Sequence, residues 1–145
     1  MEEIVDAREF LEMVRVKRKK VMRMEESLAE HVSRAETVTG LKIAEKVQTS
    51  NKATIDATLA AIEEERQRLE EAQKELETML EKAKAMINTI RDDETTWQIL
   101  WERYIMGETW VAIARKMNYG RATVMRISSA GVDAINKKLR HYETS

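Results

Sequence analysis

Thr109-Trp110-Val111-Ala112-Ile113-Ala114-Arg115-Lys116-Met117-Asn118-Tyr119-Gly120-Arg121-Ala122-Thr123-Val124-Met125-Arg126 is the stretch on which the fold turns. Thr109 is a residue type that caps helix N-termini, and it stands before Trp110, Ile113, Ala114 and Met117. Those four positions have the i, i+3, i+4, i+7 spacing of one face of a short helix. Asn118-Tyr119-Gly120 then offers two residues, Asn118 and Gly120, that tolerate the left-handed backbone of a tight turn. A longer helix is expected over residues 121–141, with Val124, Ile127, Ala130 or Gly131, Ile135 and Leu139 inward. A short helix, a three-residue turn and a helix with a small apolar inward face predict a helix-turn-helix corner.

Working toward the N-terminus, Asp92 or Asp93 can cap a preceding helix in which Trp97, Leu100, Trp101, Tyr104 and Ile105 recur at helical spacing. Gly107 ends it. Trp97 and Trp101 share one face and are expected to be core residues rather than stacking platforms. All three tryptophans fall between 97 and 110, so the core changes there from aliphatic to aromatic.

Before that point the pattern is a heptad seam. Ile4, Ala7, Leu11, Val14, Val21, Leu28, Val32 and Ala35 form one run, and Ile55, Leu59, Ile62, Leu69, Leu76, Leu80, Ala83, Ile87 and Ile90 form a second. Gly40 is expected to close the first helix and Ser50 or Asn51 to cap the second, with residues 41–48 forming at most a short helical turn between them. If the seams fold antiparallel with facing residue numbers totalling 90 or 91, the polar interruptions align as Glu25 with Arg66 and Arg18 with Gln73. Extra apolar residues (Met13, Met22, Met24, Ala72, Met79 and Met86) flank the seam and are expected to pack on a second hairpin or on the C-terminal domain. The fold class expected is therefore all-α: a long antiparallel coiled-coil hairpin over 1–91, serving oligomerisation, followed by a three-helix helix-turn-helix domain over 92–145.

Composition agrees with long helices: no Pro, four Gly and 35% charged residues. The absence of Cys excludes disulfides and thiol chemistry and fits a reducing cytoplasm. No run of 18 apolar residues occurs, and Glu2 and Glu3 follow Met1, so neither membrane insertion nor export is expected. His31 and His141 are isolated, which argues against a metal site, and no cofactor is expected. No carboxylate pair, nucleophile–base set or phosphate-cradling loop suggests an enzyme.

The net charge of −1 is unevenly spread. Residues 115–145 hold Arg115, Lys116, Arg121, Arg126, Lys137, Lys138 and Arg140 against Asp133 and Glu143, a local net of +5. Charges act within a Debye length of about 8–10 Å, so this end can approach phosphate although the whole chain is near neutral. A second basic stretch, Arg15 to Arg23, carries six cations and no acid. Neutralisation by Glu70, Glu71 and Glu75 of the facing helix is the expected arrangement; a second phosphate contact is the alternative.

The stretch Trp101-Glu102-Arg103-Tyr104-Ile105-Met106-Gly107-Glu108-Thr109-Trp110-Val111-Ala112-Ile113-Ala114 resembles the LRYxxGxSxxEIA segment of sigma-factor region 4. Asn118-Tyr119-Gly120-Arg121-Ala122-Thr123-Val124-Met125-Arg126 resembles its GxSxxTVxxR turn and recognition helix. The layout as a whole resembles small phage and prophage transcription regulators that join a charged helical hairpin to such a domain. The resemblance implies a sequence-specific DNA-binding regulator, phage-encoded and active in the bacterial cytoplasm, whose third helix enters the major groove. Where sigma factors carry a glutamate just after the turn, this chain has Arg121, so promoter specificity is not carried across.

On that reading Arg121 and Arg126 donate to guanine, Ala122 and Met125 meet thymine methyls, Ser129 completes the outer face, and Thr123 contacts a base methyl or a phosphate or caps the helix instead. Thr109, Arg115 and Lys116 hold phosphates. Lys137, Lys138 and Arg140 either extend the backbone contact or neutralise the helix C-terminus. The expected partners are double-stranded DNA and further copies of the chain, as a homodimer or higher homo-oligomer through the hairpin. Alternatives are a sigma-like adaptor that binds RNA polymerase and a DNA-packaging factor like a small terminase subunit.

Overall fold

The computed structural model describes residues 6–44 and 49–144, with side chains described over 6–37 and 52–141. The described residues form helices and short connections, with no strand among them. In chain order these are α1 (Ala7–Ala44), α2 (Thr49–Asn88), α3 (Glu94–Leu100), a π-helical turn (Trp101–Ile105), α4 (Trp110–Met117) and α5 (Arg121–Thr144). No described helix is long and apolar enough to cross a membrane. The chain divides into two compact units, Lys19–Glu75 and the combination of Met1–Arg18 with Leu76–Ser145. That division does not follow the change of periodicity at residues 91–92.

Within Lys19–Glu75, the α1 and α2 side chains meet in antiparallel order. Gln73 donates to Glu25 at 3.4 Å, and Ser27 and His31 both bond Glu65, at 3.1 and 2.7 Å. Val21, Ile62, Leu69 and Ala72 are buried, while Leu28 and Val32 are half-buried. The expected Glu25–Arg66 layer is not formed: Arg66 pairs with Glu63 on its own helix, and Glu25 meets Gln73. The cross-helix contacts Ser27–Glu65, His31–Glu65 and Glu25–Gln73 total 92, 96 and 98, from close to the expected 90 or 91 to about two turns beyond it, as long polar side chains reach partners on neighbouring turns. Gly40 does not end α1, which continues to Ala44, and Ser50 and Asn51 lie inside α2. The short turn expected over 41–48 is in part the last residues of α1; its remainder, 45–48, lies outside the described residues.

The carboxylate of Glu65 is held below its usual range chiefly by the hydrogen bond to His31, with burial opposing and the Ser27 hydrogen bond adding a smaller effect in the same direction as His31.

The other unit joins the first turns of α1 and the last turns of α2 to α3, α4 and α5. Ala7, Leu11, Val14, Ala83, Ile87, Ile99, Leu100, Ile113, Val124, Val132 and Ile135 are wholly or almost wholly buried within it. Asp6 caps α1 by accepting from the backbone of Arg8 and Glu9, and these bonds hold its carboxyl below the ordinary range. The Ala7 amide donates to Asn136 at 2.8 Å, and Arg8 forms an ion pair with Asp133 at 2.9 Å. Lys138 donates to the Thr89 carbonyl at 2.6 Å and lies 3.5 Å from Asp92. The second half of α5 is thus tied to residues far away in sequence, an arrangement that periodicity does not announce.

Of the two candidate caps for α3, Asp93 performs the task. It accepts from the Thr96 amide at 3.2 Å and from the Thr96 hydroxyl at 2.8 Å. The tryptophan expectation is corrected here. Ile99 and Leu100 are fully buried, whereas Trp97 and Trp101 are half-buried and stack on each other with centroids 5.0 Å apart. The Trp97 indole N–H donates to Asn88 at 2.9 Å, and Arg91 lies over its ring. An indole wet at one edge and apolar on its face suits such a half-buried position.

On α5 the inward glycine is Gly131, with Ala130 exposed. A Cβ at Gly131 would overlap the Thr96 methyl and stand 3.0 Å from Leu100 Cδ1. Thr96 cannot rotate away cheaply, since Asp93 holds its hydroxyl. Gly131→Ala is therefore expected to lower stability by about 1 kcal/mol, an overpacking cost of about 1–3 kcal/mol partly offset by about 1 kcal/mol of helix propensity. A denaturation midpoint above wild type would show that α3 and α5 separate without cost.

Candidate nucleic-acid interface

The corner between α4 and α5 is built from local hydrogen bonds. Thr109 has an extended backbone, and its hydroxyl accepts from the Ala112 amide at 3.1 Å, which starts α4 at Trp110. Asn118, rather than Gly120, takes the left-handed conformation (φ 60°), and the Tyr119 amide closes the helix onto the Ala114 carbonyl at 2.9 Å. α5 opens at Arg121, with the Val124 amide bonded to the Gly120 carbonyl at 3.1 Å.

What holds the two helices together is a small apolar cluster of Ile99, Ile113, Ala114 and Val124, with Trp110, Met117 and Ile127 packed against it. Ser128 is buried beside it and hydrogen-bonds Tyr104. Burial raises the Tyr104 phenol, with Glu12 acting the same way and Ser128 opposing. With Val124, Ser128, Gly131 and Val132 turned inward, helical geometry turns Arg121, Ala122, Met125, Arg126 and Ser129 outward, and all five are exposed. Met125 remains 40% exposed. Neither Arg121 nor Arg126 has a hydrogen bond or ion pair among the described residues. Thr123 is half-buried at the edge of this face.

The remaining sequence-predicted residues divide into free and engaged. Arg115 is exposed without a side-chain partner among the described residues. Lys116 lies 3.1 Å from Glu102, whose carboxylate is 16% exposed, so its charge is partly neutralised. The hydroxyl and carbonyl of Ser129 both accept from Arg8 at 3.3 Å, which ties the far end of the face to α1. Lys138 is occupied by Thr89 and Asp92, and Arg140 donates to the Asn136 carbonyl. The bare part of α5 is therefore its first two turns.

Two arginines shape this corner in ways the sequence did not predict: Arg18, expected opposite Gln73, and Arg103, given no role. Arg103, only 7% exposed, lies with its guanidinium 4.1 Å from the Trp110 ring centroid and donates to the Glu108 carbonyl at 3.1 Å. Burial pulls its guanidinium below the usual range, and the Arg15 and Arg121 cations act in the same direction. Arg18 donates to the Ile105 carbonyl, at the end of the π-helical turn. That turn carries the Met106 amide back to the Trp101 carbonyl at 3.0 Å and leads into Gly107, whose φ of +78° only glycine adopts freely. A cation at a seam position was the available signal for Arg18; nothing local distinguishes Arg103 from a surface arginine.

Comparison of the chain with protein-family models, with curated proteins and with solved structures returns no match.

Proposed function

We propose that the chain is a sequence-specific double-stranded DNA-binding protein, a transcription regulator of phage type, in which α4 and α5 form a helix-turn-helix. On this reading α5 lies in the major groove. Arg121 and Arg126 donate to guanine, and Ala122 and Met125 pack on thymine methyls. Arg115 and the amides at the start of α4 hold phosphates. The observation that carries the proposal is the outer side of α5's first two turns: exposed, bearing two arginines without an acid, on a helix whose opposite side is buried. An arginine retained only for solubility gains from a nearby carboxylate; two left unpaired beside small and apolar neighbours suit a surface of acceptors and methyl groups.

In this reading α1 and α2 are an antiparallel coiled-coil hairpin through which chains associate, and the exposed Met13, Val16, Met22 and Leu59 support that role. A two-fold dimer places its reading helices about 34–36 Å apart. Selection of sequences bound by the full chain from random duplex DNA tests the proposal. A recovered motif with guanines at fixed positions is expected, repeated at about one helical turn. A recovered pool with the composition of the input would overturn it.

A further inference from the structure

We infer that α1 carries a second, sequence-independent contact for the phosphate backbone of double-stranded DNA, formed by Lys19, Lys20 and Arg23. The inference rests on the DNA-binding reading above and adds a surface to it. The stretch from Arg15 to Arg23 has six cations and no acid, and neutralisation by the acids of α2 is the ordinary fate of such a helix face. The structure does not provide it for these three residues. Glu70 pairs with Lys74, Glu63 with Arg66 and Glu65 with His31, while Glu30 pairs with Arg34 on α1. Lys19, Lys20 and Arg23 are exposed, and none has a hydrogen bond or ion pair among the described residues.

Their spacing puts them together. Arg23 lies three and four residues after Lys20 and Lys19, so the three share one side of the helix within about 6 Å of rise. Three unpaired cations so close repel one another, and nothing in the packing of Lys19–Glu75 uses them. An anionic partner with closely spaced charges relieves that repulsion. A duplex supplies such charges at about one per 1.7 Å of axis, with counterions that binding releases. Because the contact is to phosphate, it adds affinity to every sequence equally and leaves the discrimination made by α5 unchanged.

The test is the salt dependence of duplex binding by the full chain. The triple variant Lys19→Ala, Lys20→Ala, Arg23→Ala is compared with a control that removes three paired cations, Arg34→Ala, Lys74→Ala and Lys84→Ala. Both lose the same net charge, and alanine preserves helicity. Each phosphate contact contributes about 0.9 to the slope of log affinity against log salt, so the first variant is expected to lower that slope by about 2–3. The control is expected to lower it by less than about 1, and sequence preference is expected to survive in both. Equal slopes for the two variants, or a slope unchanged from wild type, would overturn the second contact while leaving the α5 reading intact. A wild-type chain that binds no duplex at any salt concentration would overturn both. Loss of binding to anionic lipid vesicles in the first variant, with duplex binding untouched, would assign the patch to a membrane surface instead.

Discussion

Replacing Arg121 and Arg126 together with alanine is expected to remove the preference for the selected sequence over random duplex, by about thirty-fold to more than ten-thousand-fold. Each bidentate arginine–guanine pair is worth about 1–3 kcal/mol of discrimination, so two remove about 2–6 kcal/mol. Stability should barely move, because both side chains are exposed and without a partner, and such surface changes fall within about 0.5 kcal/mol. Footprinting on the selected site reads the first effect; circular dichroism and light scattering confirm that helicity and association state are unchanged. A wild-type footprint from the double variant would show that some other surface reads the DNA. Arg103 is the informative contrast. Its guanidinium is buried on Trp110, so Arg103→Ala is expected to weaken binding only by destabilising the corner that presents α5.

Ile99→Ala is expected to be among the most damaging single changes to stability, at about 2–5 kcal/mol. Ile99 is fully buried on α3 at the centre of the cluster that also holds Ile113 and Ala114 of α4 and Val124 of α5. Shortening it removes apolar contact from all three helices and leaves a cavity that rigid neighbours fill poorly. Set against the 5–15 kcal/mol of a typical domain, this takes a large share of the stability that keeps α4 and α5 at their spacing. Ile99→Val should cost about 0.5–1.5 kcal/mol, giving a graded pair measurable by urea denaturation. If the alanine variant lost less than 1 kcal/mol, the cohesion of the corner would have to come from elsewhere, with the stacked Trp97–Trp101 pair the next element to test.

Much of this molecule is legible along the chain because the relevant interactions are short. Thr109 starts α4 by bonding an amide three residues on, and Asn118 ends it by adopting a backbone that few other residues tolerate. Asp93 caps α3 in the same local way. The alternation of Val124, Ser128 and Val132 with Arg121, Met125 and Ser129 follows from helical periodicity once the inward face is known. The outer face of α5 could accordingly be named in advance, and every member of it is exposed.

Other features were not legible, for reasons that differ. The tryptophans mislead because size and spacing suggest a core, yet an indole N–H prefers a partner at the surface, which Asn88 supplies to Trp97. The polar interruptions of the seam mislead because long side chains choose among several nearby partners: Arg66 bonds Glu63 on its own helix, and Gln73 bonds Glu25. Arginines and lysines mislead most of all, since a long cationic side chain can reach any acceptor within several ångströms. Arg18 finds the Ile105 carbonyl, Lys138 the Thr89 carbonyl and Arg8 both Ser129 and Asp133.

Helix type, the caps at Asp93, Thr109 and Asn118 and the inward or outward sense of most α5 residues were written in the chain, because caps and periodicity act over three or four residues; the end of α1 and the start of α2 were not. Which polar residues pair across the seam, and which cations are spent on carbonyls and which stay bare, were decided only when distant segments packed. Those outcomes depend on contacts 40 to 130 residues apart, such as Glu25 with Gln73 and Ala7 with Asn136, and no local rule reaches that far.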